Sequence, residues 1–104
     1  MTYTLHISVS NQSLEFPKAL IEIEIAGKQI FHKEMITGTQ HNWEEISESS
    51  ISKGEYTLII RETKTKISKS QKINVDRELW IIITFHGPKS GFMIDIKDQP
   101  VGYI

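Results

Sequence analysis

Ala19-Leu20-Ile21-Glu22-Ile23-Glu24-Ile25-Ala26-Gly27-Lys28 is the stretch on which the fold turns. Isoleucine and glutamate alternate with a period of two. In an extended chain this puts Ile21, Ile23 and Ile25 on one face and Glu22 and Glu24 on the other. Gly27 accepts a positive φ, so Ala26-Gly27-Lys28-Gln29 reads as a tight turn. Ile30 to Ile36 then returns as a second arm. Residues 19–36 are therefore expected to form a β-hairpin with Phe31 and Met35 turned inward.

Outward from this hairpin the same period recurs. Tyr3, Leu5, Ile7 and Val9 share one face of a first strand, with Thr4, His6, Ser8 and Ser10 on the other. Gly54 opens a strand with Tyr56, Leu58 and Ile60 inward, and Phe92, Ile94 and Ile96 define the last strand. Leu79 to Phe85 is apolar on both faces, as expected of a central strand covered from two sides. Ile67 to Val75 is apolar only at Ile67, Ile73 and Val75 and reads as an edge, its lysines guarding against pairing with other chains. A short strand through Ile46 leads into a Ser-rich connection, Ser47 to Ser52. Thr63 to Lys66 reads as a turn and His86 to Gly91 as a loop, and the tail Pro100 to Ile104 is apolar enough to dock. Seven or eight strands at intervals of about 8–12 residues predict a single all-β domain over residues 1–104, an antiparallel β-sandwich.

Composition points the same way. The chain of 104 residues holds 18 Ile and 8 Thr against 5 Leu and 2 Ala, an excess of strand formers over helix formers. A net charge of −1 predicts neither a nucleic-acid footprint nor a membrane surface. Without cysteine there is no disulfide, thiolate metal site or cysteine nucleophile. The opening residues lack the basic and apolar regions of a signal peptide, so the chain reads as cytoplasmic; one secreted after loss of a leader would look the same.

Gly54-Glu55-Tyr56-Thr57-Leu58, preceded by Ile51, resembles the glycine turn and Tyr-x-Leu strand of immunoglobulin-like and transthyretin (prealbumin)-like sandwiches. The resemblance covers the last half of the chain and implies architecture, since such sandwiches carry many functions. Ser10 to Ser13, Gly38 to Trp43 and Pro100 to Gly102 resemble small bacterial proteins of this type. One transthyretin-like branch hydrolyses a urate-derived ring with histidines, an arginine and a Tyr-Arg-Gly-Ser terminus. Here the terminus is Val101-Gly102-Tyr103-Ile104 and that branch's histidine-bearing opening motif is missing, which counts against the activity.

The four histidines, His6, His32, His41 and His86, form no metal-ligand pattern, and no nucleophile elbow or phosphate loop accompanies them. His6 and His32 fall on outward strand positions. Asp76, Glu78, Asp95, Asp98 and Gln99 read as turn chemistry rather than a calcium loop. The most suggestive stretch is Gln40-His41-Asn42-Trp43, together with loop residue His86. An indole beside amide and imidazole groups can stack on a sugar ring and bond its hydroxyls, and an outward Trp80 would extend the platform. The plainer reading makes Trp43 a plug at one end of the sandwich. Acids at Glu44, Glu45, Glu48 and Glu55 precede bases at Arg61, Lys64, Lys66, Lys69 and Lys72, an arrangement suited to cross-strand pairing.

The expectation is a non-catalytic binding module without metal or cofactor, which associates with a protein partner, or with itself as a homodimer, through an edge strand or the C-terminal tail. The alternative is carbohydrate binding by Gln40, His41, Asn42, Trp43 and His86. A small hydrolase comes third.

Overall fold

A computed structural model of the chain describes residues 2–13, 18–36, 43–87 and 89–99, with the side chains at 43 and 48–50 outside that description. Eight strands and no helix make up the described residues: β1 (Thr2–Asn11), β2 (Lys18–Ile25), β3 (Lys28–Ile36), β4 (Trp43–Ser52), β5 (Gly54–Glu62), β6 (Ile67–Val75), β7 (Leu79–Phe85) and β8 (Phe92–Lys97). They form two four-stranded sheets, in the orders β4-β1-β7-β8 and β3-β2-β5-β6, packed as an all-β sandwich.

The hairpin forms as its alternation requires. β2 is buried at Ala19, Ile21, Ile23 and Ile25. Ala26 and Gly27 make a two-residue connection with φ of 54° and 76°, the positive pair that lets a tight turn follow the strand twist. Met35 is fully buried, while Phe31 is half-buried because β3 lies at the edge of its sheet. β7 is central, flanked by β1 and β8, and β6 is an edge.

Two features depart from the expected pattern. The Ser-rich segment after Ile46 is a continuation of β4 rather than a connection, because its backbone pairs with β1 from Leu5↔Glu48 to Thr2↔Ser52 across a register shift. Five of the six strand pairings are antiparallel, but β1 and β7 run parallel, Leu5 opposite Leu79 and Asn11 opposite Phe85. This long-range pairing is what divides β1 and β2 between the two sheets.

Leu5, Ile7, Val9, Ile81, Ile83 and Phe85 from one sheet meet Ile21, Ile23, Leu58 and Ile60 from the other, all at most 1% exposed. Burial on this scale is the main stabilising term of the sandwich, about 1.5–3 kcal/mol for each fully buried side chain of this size. Two buried polar groups at strand ends, Asn11 and Glu62, are well bonded. Asn11 Nδ2 donates to the Met35 carbonyl at 3.0 Å and its Oδ1 accepts the Ser13 amide at 3.0 Å, fastening β1 to β3 across the two layers. Glu62 is fully buried and accepts three hydrogen bonds, from Leu20 N at 2.5 Å, Thr65 N at 2.7 Å and Thr65 Oγ1 at 2.9 Å. Its carboxylate thereby carries the β2–β5 ladder into the turn at 63–66.

Candidate functional site

The register of β4, β1, β7 and β8 lays the outward side chains of that sheet in rows. One row reads Ser47, His6, Trp80, Lys97, and the next Glu45, Ser8, Ile82, Asp95. His6 is fixed twice. Its ring lies flat on the Trp80 indole, with centroids 4.9 Å apart and planes 8° from parallel, and its Nε2 meets Glu78 Oε2 at 2.6 Å. Trp80 does face outward, half-buried, because β7 puts Leu79, Ile81 and Ile83 into the core. Ser8 lies on this outer face yet is only 6% exposed. The taller Glu45 and Ile82 stand on either side of it, leaving a trench along β1 of about 200 Å³.

Of the residues singled out by sequence, Gln40, His41 and Asn42 lie outside the described residues, as does the tail from Pro100 onward. Trp43 begins β4 opposite Ser10, and His86 follows Phe85, which faces Asn11. The topology therefore brings positions 43 and 86 to the same end of one sheet with β1 between them, about 10 Å apart across the strands. His86 is exposed, and its amide donates to the Gly91 carbonyl at 2.8 Å. The trench around His6, Ser8 and Glu45 went unseen in the sequence because it is made by register, and a parallel pairing between residues 74 apart leaves no local signal.

The four sheet edges are not alike. Edge strands are guarded by charges pointing inward, which an incoming chain would have to bury. Lys33 occupies an inward position on β3, Glu44 on β4 and Lys69 on β6, opposite Ile21, Val9 and Ile60. Lys33 and Glu44 form an ion pair across one open side of the sandwich. Lys69 Nζ donates to the Phe92 carbonyl at 3.3 Å on the other side. β8 has only Phe92, Ile94 and Ile96 on its inward face. Outward it carries Asp95, Lys97 and Met93, which is 60% exposed.

Which backbone groups β8 presents follows from the ladder. Gln12 N donates to the Phe85 carbonyl at 2.8 Å, so Phe85 turns its polar backbone toward β1. Phe92, its partner on β8, is then a non-bonded pair and turns its own N–H and C=O away from β7. By alternation Ile94 and Ile96 do the same, toward the open edge.

Charge elsewhere is mostly paired. The acids of β4 and the bases of β6 lie in different sheets, so among the described residues the expected pairing of those two runs reduces to Glu55 with Lys72 at 3.9 Å. Glu24 meets Arg61 at 3.2 Å. The hydrogen bond from Lys64 at 2.9 Å holds the Glu34 carboxyl below the usual carboxylate range. Asp76, and then Asp98, raise the pKa of Arg77. Among the described residues no group of three or more His, Asp or Glu is placed to hold a metal ion, and no helix is long and apolar enough to cross a membrane. Compared with known protein families, with curated proteins and with solved structures, the chain finds no match.

Proposed function

We propose that the protein is a non-catalytic association module whose interface is the open edge of β8, with a second copy of the chain as the partner. The observation that carries this reading is the missing guard: among the described residues, β8 is the one edge strand of the four that sets no charge on its inward face. An antiparallel two-fold pairing centred on Ile96 would set Asp95 of each copy opposite Lys97 of the other, with the two Ile96 side chains meeting on the inward face. The two sheets of order β4-β1-β7-β8 would then run on as one. The split of β1 and β2 between sheets favours the transthyretin-like of the two sandwich types, since the constant immunoglobulin type keeps its first two strands together.

Light scattering across a dilution series tests the reading. The expected result is a shift from twice the monomer mass to the monomer mass on dilution. Ile94→Lys, which copies the guard of the other three edges, should stay monomeric with unchanged circular dichroism. A strict monomer at every concentration overturns the proposal.

A further inference from the structure

We infer that the trench on the outer face of the β4-β1-β7-β8 sheet is a binding site for a single neutral sugar ring, such as the terminal residue of a glycan. The inference does not depend on the β8 edge.

The shape comes from one small residue among larger ones. Ser8 forms the floor, Glu45 and Ser47 the wall toward β4, Trp80 and Ile82 the wall toward β7, and His6 closes one end. A volume of about 200 Å³ falls below the range of about 300–1,000 Å³ that holds drug-sized ligands and suits one six-membered ring. The two walls differ in chemistry. Ile82 and the part of Trp80 that His6 leaves uncovered offer apolar surface to the C–H face of a ring, while Glu45 accepts hydrogen bonds from its hydroxyls and Ser47 both gives and accepts them.

Charge narrows the class. Among the described residues no lysine or arginine lines the trench, and two carboxylates, Glu45 in the wall and Glu78 behind His6, repel anions. Lys97 lies on the far side of Trp80 and is engaged with Asp95 at 3.3 Å. Phosphate esters and acidic sugars are therefore disfavoured. His6 is held in orientation by Trp80 on its face and Glu78 at Nε2, which leaves Nδ1 as the ring nitrogen for a ligand hydroxyl. Such positioning in advance lowers the cost of ordering the site on binding.

The test titrates methyl glycosides of glucose, galactose, mannose and N-acetylglucosamine into ¹⁵N-labelled protein, with tetramethylammonium chloride as the cationic comparison. Readouts are the Trp80 indole N–H and the His6 ring signals, at a dilution where the chain is monomeric. At least one glycoside is expected to move both sets saturably. Glu45→Gln, a change at an exposed side chain, should weaken that binding about tenfold, and Ser8→Val, which fills the floor, should abolish it. If Ser8→Val fails to fold, Glu45→Gln alone decides. No shift with any glycoside overturns the inference. So does an equal response to tetramethylammonium, or a response confined to Trp43 with Trp80 still.

Discussion

His6 lies flat against Trp80, ring centroids 4.9 Å apart and planes 8° from parallel, although 74 residues separate them in the chain. The stack covers one face of an indole that β7 would otherwise turn to water. His6→Ala should therefore cost about 1 kcal/mol of stability and shift Trp80 emission to longer wavelength. Denaturant unfolding and fluorescence in a Trp43→Phe background measure both. An unchanged emission maximum would mean that the stack does not persist in solution.

The turn of the first hairpin holds a residue ill suited to it. Ala26 has a φ of 54°, which costs a residue with a Cβ roughly 1 kcal/mol and which asparagine tolerates better. Ala26→Asn should stabilise the protein by about 0.5–1 kcal/mol, seen as a higher urea midpoint at unchanged slope. A lower midpoint would count against the turn geometry.

Glu62 should be among the costliest acidic residues to replace. Glu62→Ala strands two backbone amides, Leu20 and Thr65, in a buried position, for an expected loss of about 2–5 kcal/mol. Glu62→Gln keeps the shape but turns an amide donor toward one of the donors the carboxylate accepted from. It should recover only part of the loss. A fully stable Glu62→Gln protein would mean that one of those bonds is dispensable.

Glu34 supplies a pH signature. Its pKa is lowered in the folded state by the hydrogen bond from Lys64, so the contribution is present above the ordinary glutamate pKa and fades as pH falls through the folded value. Urea unfolding of the native protein and of Glu34→Gln should differ slightly near neutrality and converge as pH falls below the ordinary glutamate range. The effect is small because both partners are exposed. A gap that widens in acid would reverse the assigned sign.

The sequence by itself determined the elements and their inward faces. Alternation at Ile21, Ile23 and Ile25, the doubly apolar run at Leu79 to Phe85 and the sparse apolar content of Ile67 to Val75 announced a hairpin, a central strand and an edge, because side-chain period and burial are local properties. The serines after Ile46 concealed a strand, since serine has little strand preference of its own and only the partner β1 fills its backbone bonds. Tertiary structure alone decided which strands meet. The parallel β1–β7 pairing set His6 on Trp80 and made Ser8 the floor of a trench, and the edge position of β8 left Ile94 and Ile96 facing an open side. Pairing between distant strands is chosen by the packing of the whole core, and no period within either strand records it.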